Sequence, residues 1–293
     1  MRPPPRSLAL FLAVATSARA GDIRILPSDE AGRAEASGLA REALDLRPAR
    51  RWAVAESPRF RVWAADVPAA VRTVARAERW SATLSGTLGL PGLEDRATVV
   101  VLPDADAWAR FLARAGLRED SVALHSGRGT ILLYEADGWD GHPDRLPHEL
   151  VHHLLRQAFG RDVPLWLDEG LAGLLGWETV RREAEAQGIR LVRRLAAPEP
   201  DRLLPLNALL SVRTLDERPE SAMVFYRQSE ELVRRLDRRI GRDRLAQWVA
   251  ALCGPDAISL ETLLRRDHGY KDQDLMILDE AVRALSRTPG DVD

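Results

Sequence analysis

The stretch Pro143-Asp144-Arg145-Leu146-Pro147-His148-Glu149-Leu150-Val151-His152 decides how the rest of the chain is read. It opens a helical pattern over Arg145–Phe159, with Asp144 placed to cap it and Gly160 to stop it. Pro147 falls in the first turn, where a missing N–H is tolerated. On a helix His148 and His152 are four residues apart and project from one face, so both imidazoles reach one metal ion. Glu149 stands beside them, placed to take a proton from a water. Leu146, Leu150, Val151, Leu154 and Leu155 supply an apolar side that anchors the helix. The spacing suits zinc, and a catalytic zinc takes three protein ligands and keeps a fourth position open. Pro164-Leu165-Trp166-Leu167-Asp168-Glu169-Gly170-Leu171-Ala172 supplies the third. Pro164 starts a second helix over Pro164–Leu175, and Glu169, 17 positions beyond His152, can swing back to the metal.

Together, His148-Glu149-Leu150-Val151-His152 and Trp166-Leu167-Asp168-Glu169-Gly170-Leu171-Ala172 resemble the gluzincin zinc metallopeptidases, in particular the bacterial peptidase MA-like domains. Their pattern is H-E-x-x-H followed by a Trp-Leu-x-Glu-Gly-Leu-Ala segment. The order of elements is similar from about Ser57 to Leu285, through strands at Phe60 and Val99–Leu102, a strand before the motif, and a later helix with Phe225-Tyr226-Arg227-Gln228-Ser229. The resemblance implies an α+β, zincin-like fold. A small twisted mixed sheet in the N-terminal half, with an edge strand over the cleft, would pack on the active-site helix, and a mainly helical C-terminal half would follow. It implies one Zn2+ per chain on His148, His152 and Glu169, with Glu149 as general base, acting on a peptide or protein substrate. By analogy with downstream tyrosines and histidines of the family, Tyr226 is the candidate donor to the oxyanion, with His268 as its rival. The alternative for Tyr226 is a core aromatic beside Val224 and Leu232.

Two positions depart from the family. An acidic residue often stands four positions after the glutamate ligand, able to orient a ligating histidine, and here that place is Gly173. Either another carboxylate such as Asp168 substitutes or the site is weakened. Pro147 stands where a basic or polar residue is usual. No Gly-x-Met-Glu-Asn stretch of the aminopeptidase type is present, which points to an endopeptidase or an enzyme of narrow specificity. A second class of function is a non-catalytic binding or scaffold module outside the cytoplasm that retains the zincin fold. Gly173 supports that alternative, whereas the intact His148, Glu149, His152 and Glu169 oppose it.

Outward from the motif, 293 residues at 45% hydrophobic and 29% charged describe a globular chain of one large domain or two modest ones. A net charge of −2 gives no reason to expect nucleic acid. Cys253 is the single cysteine, so no internal disulfide forms and any metal must be held by His, Asp or Glu. Residues 1–20 read as a secretory signal peptide: arginines among three prolines, an apolar run Leu8–Ala15, and Ala18-Arg19-Ala20 as the cleavage site. Cleavage after Ala20 removes Arg2, Arg6 and Arg19 and leaves 273 residues of net charge −5, exported to the periplasm or the medium with no integral membrane segment.

The expected organisation is a leader over 21–57, a metallopeptidase domain over 58–286 whose sheet lies in 58–143 and whose helices lie in 144–286, and a frayed tail over 287–293. The leader carries a helix near Ala31–Leu44. Strands are expected at Arg59–Ala64, Thr98–Leu102 and Gly127–Glu135, the last either an edge that could pair with a peptide or an interior strand. Helices are expected at Ala69–Leu88, around Trp108-Phe111-Leu112 behind a cap at Asp104 or Asp106, and at Ala222–Ile240, Asp243–Leu252, Leu260–Arg266 and Gln273–Leu285. The stretch Gln187–Arg213 reads as irregular, and Arg181–Arg194 as a solvated face. His125 and His142 fall in loops. His153 lies about 140° round the helix from His148 and is packed or solvated, not a ligand. Gly170, Gly173 and Gly176 recur every third residue, which suggests close approach to the first helix of the motif.

Overall fold

The computed structural model describes residues 22–28, 36, 38–48, 51–119, 121–126, 129–135, 145–160, 163–195, 202–215, 219–286 and 290–292. The signal-peptide reading of 1–20, the Asp144 cap and His142 lie outside these residues. In chain order the elements are β1 (Arg24–Leu26), α1 (Gly38–Leu44), β2 (Ala53–Glu56), β3 (Phe60–Ala64), α2 (Val67–Leu88), β4 (Ala97–Leu102) and α3 (Ala105–Ala115). Then come β5 (Ala123–Ser126), β6 (Thr130–Tyr134), α4 (Arg145–Phe159), α5 (Leu165–Ala186), β7 (Arg193–Leu195), α6 (Leu206–Ser211) and α7 (Pro219–Ile240). The chain closes with α8 (Arg242–Cys253), α9 (Leu260–His268), α10 (Asp272–Ser286) and β8 (Gly290–Val292).

A mixed sheet of six strands, ordered β1-β2-β3-β4-β6-β5, occupies the N-terminal half. The parallel core β3-β4-β6 is flanked by antiparallel β2 and β5. Its central strands are continuous apolar runs because both faces are covered. Phe60 and Val62 of β3, Val99 and Val101 of β4 and Ile131 and Leu133 of β6 enter the main core, shared with α2, α4, α5, α7 and α8. The alternate residues Trp63, Val100 and Leu102, with Leu132, enter a smaller core under α1 and α3, built around Trp108 and Phe111. Asp66 and Asp104 cap α2 and α3, each accepting from the backbone N–H three residues on at 2.7 Å. Asp104 is therefore the capping residue, and Asp106 lies in the first turn.

Several expectations are corrected. Segment 21–57 contributes β1 and β2 to the sheet, strands too short to show a period in the sequence. Of the two readings left open for the strand before the motif, the interior one holds, as β6, while the edge belongs to β5, which carries His125. Helix α5 does not stop at Leu175 but runs to Ala186, since its three glycines are packed against other helices. The stretch Gln187–Arg213 holds β7 and α6, and within the expected tail β8 pairs with β7. Arg181 and Arg182 do lie on a solvated face, each paired with a glutamate one turn away.

Candidate metal centre

Helix α4 lies on the main core through Leu150, Val151, Leu154 and Leu155, all fully or nearly fully buried. That burial turns the His148–His152 face toward α5. At Gly176 of α5 a Cβ would stand 3.1 Å from the backbone nitrogen of His148 and 3.2 Å from its Cα. With no side chain there, α5 settles on the α4 backbone beside His148. Glu169 lies two turns earlier on the same face of α5 and is thereby brought over the histidines. Of the three spaced glycines only Gly176 serves this contact. Gly170 and Gly173 face α7, where a Cβ would meet the Ser229 carbonyl and the Glu230 carboxylate, which corrects the expectation that all three approach α4.

His148 Nε2 and His152 Nε2 are 3.1 Å apart, and Glu169 Oε2 is 3.6 Å from each. Two ligands on a tetrahedral zinc, each at about 2.0–2.1 Å, are separated by about 3.3 Å. The three donor atoms therefore fit one zinc ion and leave a coordination position open. Among the described residues they are the one set of three or more His, Cys, Asp or Glu donors arranged to hold a metal ion. His152 Nδ1 stands 2.7 Å from Asp168 Oδ1. Its N–H donates to that carboxylate, which holds the ring and directs the Nε2 lone pair into the site. Of the roles open to Asp168 (helix cap, solvated carboxylate or partner of a site histidine), the geometry shows the contact with His152.

Burial opposes a charge on His152, but Asp168 and Glu169 outweigh it and hold the imidazolium pKa at about 10 in the metal-free protein. Asp168 is also disfavoured by burial, yet the charge and hydrogen bond of His152 bring its carboxyl below the ordinary range. Glu149, one turn before His152 and only 6% exposed, is pushed the other way. Desolvation lifts its carboxyl above the usual carboxylate range, the positive potential of His148 and His152 opposes the rise, and Glu169 and Asp168 add to it.

The remaining candidates fall elsewhere. His153 is packed: its Nδ1 is 3.1 Å from Nε2 of His125, which sits on β5 and not in a loop. Burial, then the neighbouring His153, lower His125 to about 3; burial and Arg156 lower His153 to about 4, so both rings are neutral at physiological pH. Tyr226 lies on α7 with 39% of its surface exposed, so the core-aromatic alternative does not hold; its ring meets Phe225 edge-on. His268 lies in the last turn of α9, with its ring edge-on to Trp248 at a centroid distance of 5.5 Å. At Gly173 a Cβ would lie 2.8 Å from Glu230 Oε2, so the space of the missing acidic side chain is filled by a carboxylate from α7 that is paired with Arg234. Glu230 could not be found from the sequence, because it is 57 positions beyond Gly173 and carries no local signature.

No family model and no curated protein matches the chain. Among solved structures the chain is similar to a mutant of an M1 zinc metallopeptidase from Deinococcus radiodurans, at 19% identity and a TM-score of 0.40, over 80% of this chain and 49% of that one. The chain thus spans about half the length of that protein. Among the described residues no helix is long and apolar enough to cross a membrane.

Proposed function

We propose that the chain is an exported zinc-dependent peptidase of zincin-like fold, an endopeptidase acting on peptide or protein substrates. The observation that carries the reading is the convergence of His148 Nε2, His152 Nε2 and Glu169 Oε2 at distances suited to zinc, beside the buried carboxylate of Glu149. Zinc, when bound there, supplies Lewis acidity that makes water a nucleophile near neutral pH and polarises a carbonyl. His148, His152 and Glu169 hold the ion, and Asp168 keeps the His152 ring from turning. Glu149 takes the proton from the attacking water and delivers it to the leaving amine, a task matched to a carboxyl with a raised pKa. Tyr226 donates its hydroxyl hydrogen to the developing oxyanion. The signal-peptide pattern of residues 1–20 supports export, and the net charge of −2 gives nucleic acid no electrostatic hold.

The second reading, a binding module without catalysis, is favoured by Gly173, whose place is taken by a carboxylate already neutralised by Arg234. One experiment separates the two. The purified protein is expected to hold one zinc by elemental analysis, lost in His148→Ala and Glu169→Ala, and to hydrolyse peptides. Glu149→Gln is expected to keep the zinc and lose about 100-fold or more in rate. Retained zinc with hydrolysis absent, or unaltered by Glu149→Gln, would refute the peptidase mechanism.

A further inference from the structure

His125 and His153 have no part in the mechanism above. In β3, β4, β5 and β6 the residues turned toward the main core are apolar at every position but one, from Phe60 on β3 to Leu133 on β6. The exception is His125, which shares that side with Ala123 and with Ile131, its partner across the ladder. Its Nε2 stands 3.1 Å from Nδ1 of His153, a residue 7% exposed that directly follows His152 on α4. One of these nitrogens carries a proton and donates it to the lone pair of the other. On its far side the His153 ring sits under the turn between β5 and β6, where a Cβ at Gly129 would be 3.4 Å from Cε1. His153 Nε2 meets no partner among the described residues. Two apolar side chains of similar shape would pack here with little loss of stability and leave no nitrogen unanswered. What the imidazole pair adds is direction, because an N–H···N bond fixes both separation and orientation.

The bond joins a lightly held element to a firmly held one. Strand β5 is four residues long, stands at the end of the sheet and pairs with β6 alone. Helix α4 is anchored by Leu150, Val151, Leu154 and Leu155 and carries two of the metal donors. The charges of His152 and Asp168 both act on His125, which puts β5 beside the metal centre. Among the described residues no strand covers the outer side of β5, so that side can take a peptide by ladder pairing. Where such a peptide meets the metal depends on how β5 stands relative to α4. We propose that His125 is a positioning residue: its bond to His153 fixes β5 against the metal-bearing helix and sets where a main chain laid along β5 meets the metal. The proposal rests on the zinc peptidase reading and names an extended main chain as what the site selects.

The test uses the zinc-loaded chain with acetohydroxamate and tetra-alanine hydroxamate, which share a zinc-binding group and differ in the peptide that can lie along β5. Calorimetric titration is expected to show the peptide form binding wild type about 10-fold or more tightly. His125→Phe keeps a ring and loses the bond. It is expected to reduce that gain about fivefold, the effect of one hydrogen bond, while its affinity for acetohydroxamate stays that of wild type. His125→Gln can still donate to His153 and is expected to keep most of the gain. Both variants are expected to melt within about 2 °C of wild type, which separates positioning from loss of fold. Should His125→Phe fail to fold, His125→Leu carries the comparison. Equal binding of the two probes to wild type, a gain that survives in His125→Phe, or an equal loss in His125→Gln overturns the role of His125 and leaves the peptidase reading intact. A chain that retains no zinc and binds neither probe refutes that reading, and the proposal with it.

Discussion

Gly170→Ala tests the packing that presents Glu169 to the histidines. A Cβ at Gly170 would stand 2.5 Å from the Ser229 carbonyl oxygen and 2.6 Å from Val233 Cγ2. Ordinary contact begins near 3.4 Å, so α5 and α7 must separate by about 0.9 Å at this point. The clash is with backbone that no rotamer change relieves, which places the cost at about 3 kcal/mol, the upper part of the overpacking range. Alanine returns about 1 kcal/mol through its better helix propensity. The net loss of about 2 kcal/mol lowers Tm by about 4 °C in a chain of this size. Gly86→Ala is the internal control, since its Cβ would have nothing within 4 Å. It is expected to raise Tm by about 2 °C for the same change of residue type. Scanning calorimetry of both variants decides the matter. A Gly170→Ala protein that melts at or above wild type would refute the claim that α5 and α7 touch backbone to backbone there.

Gly176→Ala is expected to leave Tm within about 2 °C, because its Cβ meets His148 at 3.1–3.3 Å and the propensity gain offsets the strain; the displaced His148 weakens zinc binding about tenfold in a chelator competition. Asp168→Asn replaces the carboxylate 2.7 Å from His152 Nδ1 and is expected to cost about 10- to 100-fold in zinc affinity without loss of the fold; unchanged affinity would show that Asp168 does not orient the ring. Because the folded pKa of His152 is raised from 6.5 to about 10, its charged form stabilises the metal-free protein fully below about pH 6.5, and that contribution is lost as pH rises through about 10. Zinc must displace that proton, so loading at pH 7.5 is expected to release about one proton from His152, seen as buffer-dependent heat in calorimetric titration. No dependence on the buffer would mean that His152 is already neutral.

Helix α4, its two histidines and the donor Glu169 were legible because each rests on a local rule. Spacing of four puts two side chains on one helix face, and a proline followed by an apolar run marks the next helix. The apolar runs of β3, β4 and β6 were legible for the same reason. Strands β1, β2 and β5 are three or four residues long, too short for a period to show, and they exist because the central sheet offers them hydrogen bonds. Helix α5 looked shorter than it is because glycine is read as a breaker, whereas Gly173 and Gly176 are held in the helix by what packs on them.

By itself the amino-acid sequence determined that His148 and His152 share one face of one helix and that Glu169 lies on the next, because helical phase depends only on residue number. Only the tertiary structure decided that Gly176 docks α5 on the α4 backbone, that Asp168 holds His152, that Glu230 fills the space at Gly173, and that His125 of β5 meets His153 of α4. These are contacts between residues brought together by packing, and their partners are set by how apolar faces stack. No spacing rule along the chain encodes that.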